Sequence, residues 1–449
     1  MRCDVLVVGA GPGGASAARA AALAGLRVVL LEEHRHVGRP THCTGKLSVH
    51  AFRRFALPAA LAQTALRAAV LCAPDGTTAV VRRAAIDSYV VDRAVFDRFL
   101  ADRAAAAGAE VITGARARMV ERVGGHVRVV ADRPQGRLTI DAALVIDAEG
   151  AHPVLPAQLG LHLRRRLVHG LQYEVEGAWI DADDTPELYF GRDVAPGFFG
   201  WLMPIGGNRG RLGVAIDPQR TARSPAYYLE RLRTAHPLAA RRLQGARIVR
   251  RLAGHIPVLG PRRPTYAPGM LVVGDAAGHV KATSGGGIYF AMLAGELAAR
   301  AAADLVAGGA AAAGAVAGYE RAWRAAFGRE VRFTSIVRAA LNRLPDRHVS
   351  MAIRALATDP GLRRAVEEHG DTQYQSRLLR PVLRAALRAG LRDVRLTPTV
   401  AAALGAAALA LWRDGAGDEG AAGVRGADGG RLRSSPACSI PVGGSRSSR

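Results

Sequence analysis

Two glycine-rich turns, each paired with an acid, hold the residues best suited to chemistry. The first reads Gly9-Ala10-Gly11-Pro12-Gly13-Gly14 and follows an apolar run at Val5–Val8. Gly9, Gly11 and Gly14 have a spacing with a physical meaning. The first glycine permits a tight turn, the second lets backbone approach a pyrophosphate, and the third lets helix and strand pack closely. The helix that follows would aim free N–H groups and its positive end at phosphates. Glu32 closes the next strand, where an acid can accept from a ribose diol, and Glu33 should face the other side. This turn binds a dinucleotide without telling NAD from FAD.

The second turn reads Leu271-Val272-Val273-Gly274-Asp275-Ala276-Ala277-Gly278, then Thr283-Ser284-Gly285-Gly286-Gly287-Ile288. A buried strand ends in an acid, and a glycine cluster then opens a helix. Asp275 would take a sugar-like hydroxyl. The second helix end would stabilise negative charge on a reduced isoalloxazine ring, which points to a flavin.

These turns need elements to position them. Asp4 to Glu32 has a βαβ pattern: strand, alanine-rich helix from about Gly13 to Ala24, Gly25 at the helix end, second strand. Such a crossover implies a parallel sheet. Asp92 is placed to cap a helix that Gly108 closes. Strands are expected at Glu110–Ile112, Val127–Val130, Ala143–Ile146 and Met270–Val273, and a long helix from about Gly287 to Val306. Leu161 to Ile256 reads as strand-rich, and 318–390 as helical and arginine-rich. Val400–Trp412 is an apolar run of 13 residues, too short to span a bilayer easily, so it reads as a docked helix or a surface-lying anchor. Beyond about Arg413 too few apolar residues remain to offset the entropy of ordering.

The 449 residues suit two packed domains plus accessories. A net charge of +23 invites a nucleic-acid reading, but only Lys46 and Lys281 are lysines, and the arginines are scattered along amphipathic stretches. That pattern suits coding bias, with an anionic cofactor or an acidic membrane surface fitting the charge equally well. Cys3, Cys43, Cys72 and Cys438 form no CxxC pair, so a reducing, cytoplasmic setting fits and no zinc site is indicated. His34 and His36 lack further ligands and read as a surface loop.

The motifs together resemble the geranylgeranyl reductase family, within the flavoproteins folded like p-hydroxybenzoate hydroxylase, from about Cys3 to about Gly390. Gly9–Gly14 with Leu30–Glu32 is similar to the family's opening "GAGPAGS…LLE". Gly38-Arg39-Pro40-Thr41-His42-Cys43-Thr44-Gly45 resembles its cysteine after a glycine–proline stretch. Arg93, Phe96 and Asp97 match "RxxFD", and the second turn matches "GDAAG…GGGI". Phe199-Gly200-Trp201-Leu202-Met203-Pro204 matches "YxWxFP" loosely.

The resemblance implies an α/β fold: a doubly wound Rossmann-type FAD domain with an inserted β-rich substrate domain and C-terminal helices. The FAD domain would comprise 1–47, 89–160 and 250–310, and the substrate domain 48–88 and 161–249. Residues 311–412 would be helical and 413–449 a disordered tail. Gly9, Gly11, Pro12, Gly13 and Gly14 would lie against the pyrophosphate, and Glu32 against the adenosine ribose. Cys43 and Thr44 would line the flavin, and Arg93 would reach the phosphates or ribityl chain. Ala117 would pass the adenine, Asp275 would bind the ribityl chain, and Gly287 and Ile288 would meet the ring. Phe199, Trp201 and Pro204 would wall a substrate cavity. No side chain announces itself as the proton donor; Cys43, equally readable as a small buried hydrophobe, and His279, which reads more readily as a packing or capping residue, are the catalytic candidates.

The activity implied is reduction of C=C bonds in a polyprenyl or similarly lipophilic substrate. Electrons would come from NAD(P)H or a ferredoxin-type donor, with no nucleic-acid partner, in the cytoplasm or peripherally at the inner face of the membrane. The chain departs from its relatives at Ala148-Glu149-Gly150-Ala151-His152-Pro153, where "ADGxxS" is common, and at Thr44, Lys46, Phe199 and Met203. A monooxygenase of an aromatic or polyketide-like substrate, an electron-transfer flavoprotein and a redox-inactive flavin scaffold stay open. A halogenase does not fit, since Phe199 replaces the first Trp of "WxWxIP".

Overall fold

The computed structural model describes residues 1–163, 166–260 and 264–392. The apolar run 400–412 and the tail 413–449 lie outside the described residues. In chain order the elements that position the site are β1 (Arg2–Val8), α1 (Pro12–Leu23), β2 (Val28–Glu32), α2 (Arg93–Ala106), β3 (Glu110–Thr113) and β4 (Gly136–Asp147). Then come β5 (Leu167–Glu176), β6 (Gly200–Gly206), β7 (Arg209–Ile216), β8 (Arg247–Pro257), β9 (Met270–Val272) and α3 (Ile288–Ala307).

The first sheet runs β9-β4-β1-β2-β3, all parallel, with Tyr266–Ala267 antiparallel at one edge. Its central strands are buried on both faces, which is why Val5–Val8 and Val28–Leu31 are apolar runs and not alternations. β1 pairs with β2 on one side and β4 on the other, so the chain leaves β1 at a topological switch point, where such sheets bind ligands. An antiparallel pair, Arg116–Val123 and His126–Arg133, folds onto β4. Asp92 caps α2 by accepting from the Ala94 amide at 2.8 Å.

The second sheet has seven strands and includes β8-β5-β7-β6, joined through Glu187–Tyr189 to the hairpin Ala68–Cys72 and Thr78–Arg82. β8 stays in this sheet to Pro257, so the second sheet reaches seven residues past position 250, where the sequence places the return to the first domain. Two helices, Pro225–Ala235 and Pro237–Arg242, interrupt the region expected to be mainly strand. Each starts with proline at its first turn, behind an N-cap from Ser224 or His236. The segment 48–66 does not join this sheet. Its helix Val49–Arg54 places Phe52 in the core beneath α1 and α3, and strands Lys46–Ser48, Ser88–Val91 and Ala62–Leu66 form a small third sheet. Among the described residues no helix is long and apolar enough to cross a membrane.

Candidate functional site

The two glycine turns, about 260 residues apart in sequence, meet through the helices they open. α1 and α3 pack side by side along faces of glycine and alanine. A β-carbon on Gly295 would stand 2.3 Å from the Gly13 carbonyl oxygen, and one on Gly13 would stand 3.3 Å from the Ala291 oxygen. Neither helix has a side-chain N-cap; Gly11 and Gly287 take that position, so the amides of both first turns remain for a ligand.

Within the first turn each glycine has its own reason. Gly9 sits at φ +99°, a region costly for other residues, and a β-carbon on Gly14 would fall 1.9 Å from the Gly9 oxygen. Gly11 differs: a β-carbon there would meet nothing within 4 Å. The protein does not need glycine at 11 for its own packing, and open space over a bare backbone suits an approaching pyrophosphate. That contrast fits a dinucleotide.

Glu32 is buried at the end of β2. Its Oε2 accepts from the Ala10 amide at 3.0 Å, and its Oε1 accepts from the His34 amide at 3.0 Å and lies 2.7 Å from His34 Nδ1. The acid is thereby tied to the glycine turn and aimed at its mouth. His34 lies on the surface loop expected of it and is a partner of that acid. Glu33 points to the surface and pairs with Arg116 at 3.3 Å. Ala117 is buried on the adjacent strand, two residues beyond the bond from the Ala115 amide to the Glu32 carbonyl. Asp275 heads the short turn Gly274–Ala276. A β-carbon on Gly287 would stand 3.0 Å from its Oδ1, so the acid faces the opening of α3, beside half-buried Ile288.

The loop carrying Cys43 and Thr44 crosses the face of the second sheet. Gly45, at φ +84°, holds it there: a β-carbon would stand 2.1 Å from the Val91 oxygen. Cys43 Sγ accepts from the Gly45 amide at 3.3 Å. Arg211, buried on β7, donates from Nη1 to the Thr44 carbonyl at 2.7 Å and to the Val91 carbonyl at 3.2 Å, and burial pushes its guanidinium below the usual range. Arg93 spends Nε and Nη2 on Asp97 at 2.8 and 2.7 Å, which orients the fork beside the Cys43 loop.

Gln172 on β5 connects this loop to the aromatic wall. Its Oε1 accepts from Thr44 Oγ1 at 2.8 Å and from Trp201 Nε1 at 3.0 Å. Its Nε2 is buried without a hydrogen-bond partner among the described residues. Trp201 belongs to an apolar cluster with Phe198, Met203 and Ile205, against which Phe199 stacks at 4.5 Å from Phe198. Pro204 does not share that wall. Alternation along β6 turns it to the other face, where it and Leu202 border a cavity of about 200 Å³ with Ile180 and Arg242.

His279 takes the packing role and not that of proton donor. It is fully buried between Trp323 and Phe327, with ring centroids 4.6 and 5.1 Å away, and neither nitrogen has a hydrogen-bond partner among the described residues. Burial, with Arg324 adding to it, lowers its pKa to about 3. A ring held neutral in an apolar slot is a packing residue and carries no imidazolium proton to give at neutral pH.

The profile of a family described as FAD dependent oxidoreductase matches residues 4–157. Digeranylgeranylglycerophospholipid reductase 2 of Methanothermobacter thermautotrophicus is 33% identical over 363 residues, covering 79% of this chain and 92% of the relative. The crystal structure of a geranylgeranyl bacteriochlorophyll reductase-like protein from Thermoplasma acidophilum superposes with a TM-score of 0.76 at 24% identity, covering 88% of this chain and 99% of the other. A p-nitrophenol 4-monooxygenase from Pseudomonas putida shares the fold more distantly, with a TM-score of 0.65 at 17% identity over 82% of this chain and 97% of its own.

Proposed function

Because the chain belongs to the geranylgeranyl reductase family of FAD-dependent oxidoreductases, we propose that it reduces C=C bonds of a polyprenyl lipid or a similarly lipophilic isoprenoid substrate. Its relative named for digeranylgeranylglycerophospholipid is similar along nearly its whole length, and that similarity is the observation on which the substrate class rests.

FAD would lie across the two helix ends. Gly9, Gly11, Pro12, Gly13, Gly14 and Glu32 would hold its nucleotide half, with Ala117 beside the adenine. Asp275 would take the ribityl chain, and Thr44, Cys43, Gly287 and Ile288 would frame the ring. Bound FAD, once reduced, supplies a hydride. The protein's part is placement and exclusion of water. The uncapped amides of α1 neutralise the pyrophosphate, and those of α3 favour negative charge on the ring. Trp201, Phe199 and Met203 would cover the substrate side with apolar surface. Gln172 locks Trp201 to Thr44, so the substrate wall and the ring-side loop keep one spacing. Arg93 is held by Asp97 and would complete the cofactor pocket from beneath Cys43. NAD(P)H or a ferredoxin-type protein would supply electrons, and a lipophilic substrate implies work at a membrane surface.

The test is anaerobic reduction of the bound flavin, followed by separate addition of a geranylgeranyl lipid and an aromatic acid. Reoxidation by the lipid without oxygen supports the reading. Reoxidation only on admitting oxygen, with a hydroxylated product, replaces it with a monooxygenase.

A further inference from the structure

Of 61 cationic side chains only Lys46 and Lys281 are lysines. Arginine serves wherever a fixed, broad charge is enough. An ammonium is compact and can release its proton, so in such a chain lysine marks places where size or titration matters. The two lysines lie 235 positions apart, yet both bind Thr372. Lys46 Nζ donates to Thr372 Oγ1 at 2.9 Å, and Lys281 Nζ donates to the Thr372 carbonyl at 2.5 Å.

They arrive from the two loops that flank the ring site. Lys46 directly follows the Cys43-Thr44-Gly45 turn. Lys281 lies between Asp275 and Gly287, with its side chain buried beneath the glycine cluster. A β-carbon on Gly286 would stand 3.1 Å from Lys281 Cε and 3.4 Å from its Nζ, and the Phe290 ring lies 5.9 Å from the ammonium. This narrow slot takes an ammonium, and a guanidinium would crowd it.

The charged groups facing Lys281 come from four elements: Lys46, Asp87, Glu330 and Asp371. Each acid has other partners. Asp87 lies 3.5 Å from Lys46 and 3.7 Å from Arg83. Asp371 lies 3.1 Å from Arg377 and 3.3 Å from His50. Glu330 accepts from the Ser376 amide at 3.2 Å. These acids are shared, so among the described residues Lys281 has no private counter-ion.

We propose that Lys281, supported by Lys46, is a positioning residue for the redox ring: its charge, set under the Gly285–Gly287 turn, adds to the amide end of α3 and favours the reduced, negatively charged ring. The inference rests on the reading that these loops flank FAD. Burial, then Lys46, lowers the Lys281 pKa to about 8. Reduction would therefore draw a proton onto Lys281 at alkaline pH.

The experiment is a redox titration of the bound flavin between pH 7 and 9.5 in the parent, Lys281→Met and Lys46→Met holoenzymes. The expected parent potential falls more steeply with pH above about 8. Lys281→Met lowers the potential at pH 7 and removes that bend; Lys46→Met lowers it less. If Lys281→Met fails to fold or to hold flavin, Lys46→Met decides alone, since its side chain is 32% exposed and tolerates change. Yellow variants with the parent's potential and the parent's bend overturn the inference. A colourless parent overturns the flavin reading, which fails separately and takes this inference with it.

Discussion

Gly295 on α3 faces Gly13 on α1 so closely that a β-carbon at 295 would stand 2.3 Å from the Gly13 carbonyl oxygen. The clash is with backbone and has no flexible end to yield. Alanine in a helix interior gains up to about 1 kcal/mol over glycine. Overpacking a tight contact costs about 1–3 kcal/mol. Gly295→Ala should therefore lower thermal stability on balance, read by calorimetry with and without FAD, and should loosen FAD by moving the two helix ends apart.

Gly11 gives the opposite pattern. A methyl group there meets no protein atom within 4 Å, so Gly11→Ala should keep its melting temperature, as an unstrained surface change does. It should still lose FAD affinity at least about tenfold, because the methyl occupies the ligand's side of the turn. Fluorescence titration checks it. Unchanged affinity would remove Gly11 from the pyrophosphate site.

Glu32→Ala deletes the acceptor of the Ala10 and His34 amides along with the carboxylate proposed to hold the ribose. Hydrogen bonds to charged groups are worth about 1.5–3 kcal/mol, so FAD affinity should fall on the order of 10- to 100-fold. His34→Ala should weaken it less, since the Ala10 bond remains. Equilibrium dialysis of the two variants ranks them.

His279 makes a pH prediction. In the unfolded chain its ring takes a proton near 6.5, whereas the folded ring resists down to about 3. Between those values the unfolded state binds the extra proton, so stability falls as pH drops through that window. His279→Leu should flatten the acid side of the stability curve, measured by denaturant unfolding from pH 4 to 7. It should leave reduction of substrate largely intact. A loss of 100-fold or more with full flavin content would restore His279 as a proton donor.

Gln172→Leu strands the buried Trp201 indole N–H, at a cost of about 1–3 kcal/mol, and releases the half-buried Thr44 hydroxyl. Flavin content should stay near that of the parent, while the substrate constant rises more than the flavin constant. Equal losses in both would mean that the link is only structural.

Legibility in the sequence followed the range of each interaction. The Gly9–Gly14 turn, Asp92 as a cap and the parallel strands are encoded locally, in residue types a few positions apart. The helices Pro225–Ala235 and Pro237–Arg242 were hidden inside strand-like surroundings, though the Pro-first starts behind Ser224 and His236 were a usable signal. Pro204 shares a motif with Trp201, yet period-two alternation along β6 separates their faces. Gln172 and Thr372 left no trace, because their partners lie up to 326 positions away and only the folded chain brings them together.

The central claim is that the two helix openings hold one FAD and present its ring to an isoprenoid lipid. The direct measurement is the absorbance of the anaerobically reduced holoenzyme after a geranylgeranyl lipid is added. The oxidised flavin spectrum should return in step with loss of the lipid's double bonds. A reduced flavin that stays bleached with the lipid and reoxidises only in air would contradict the claim.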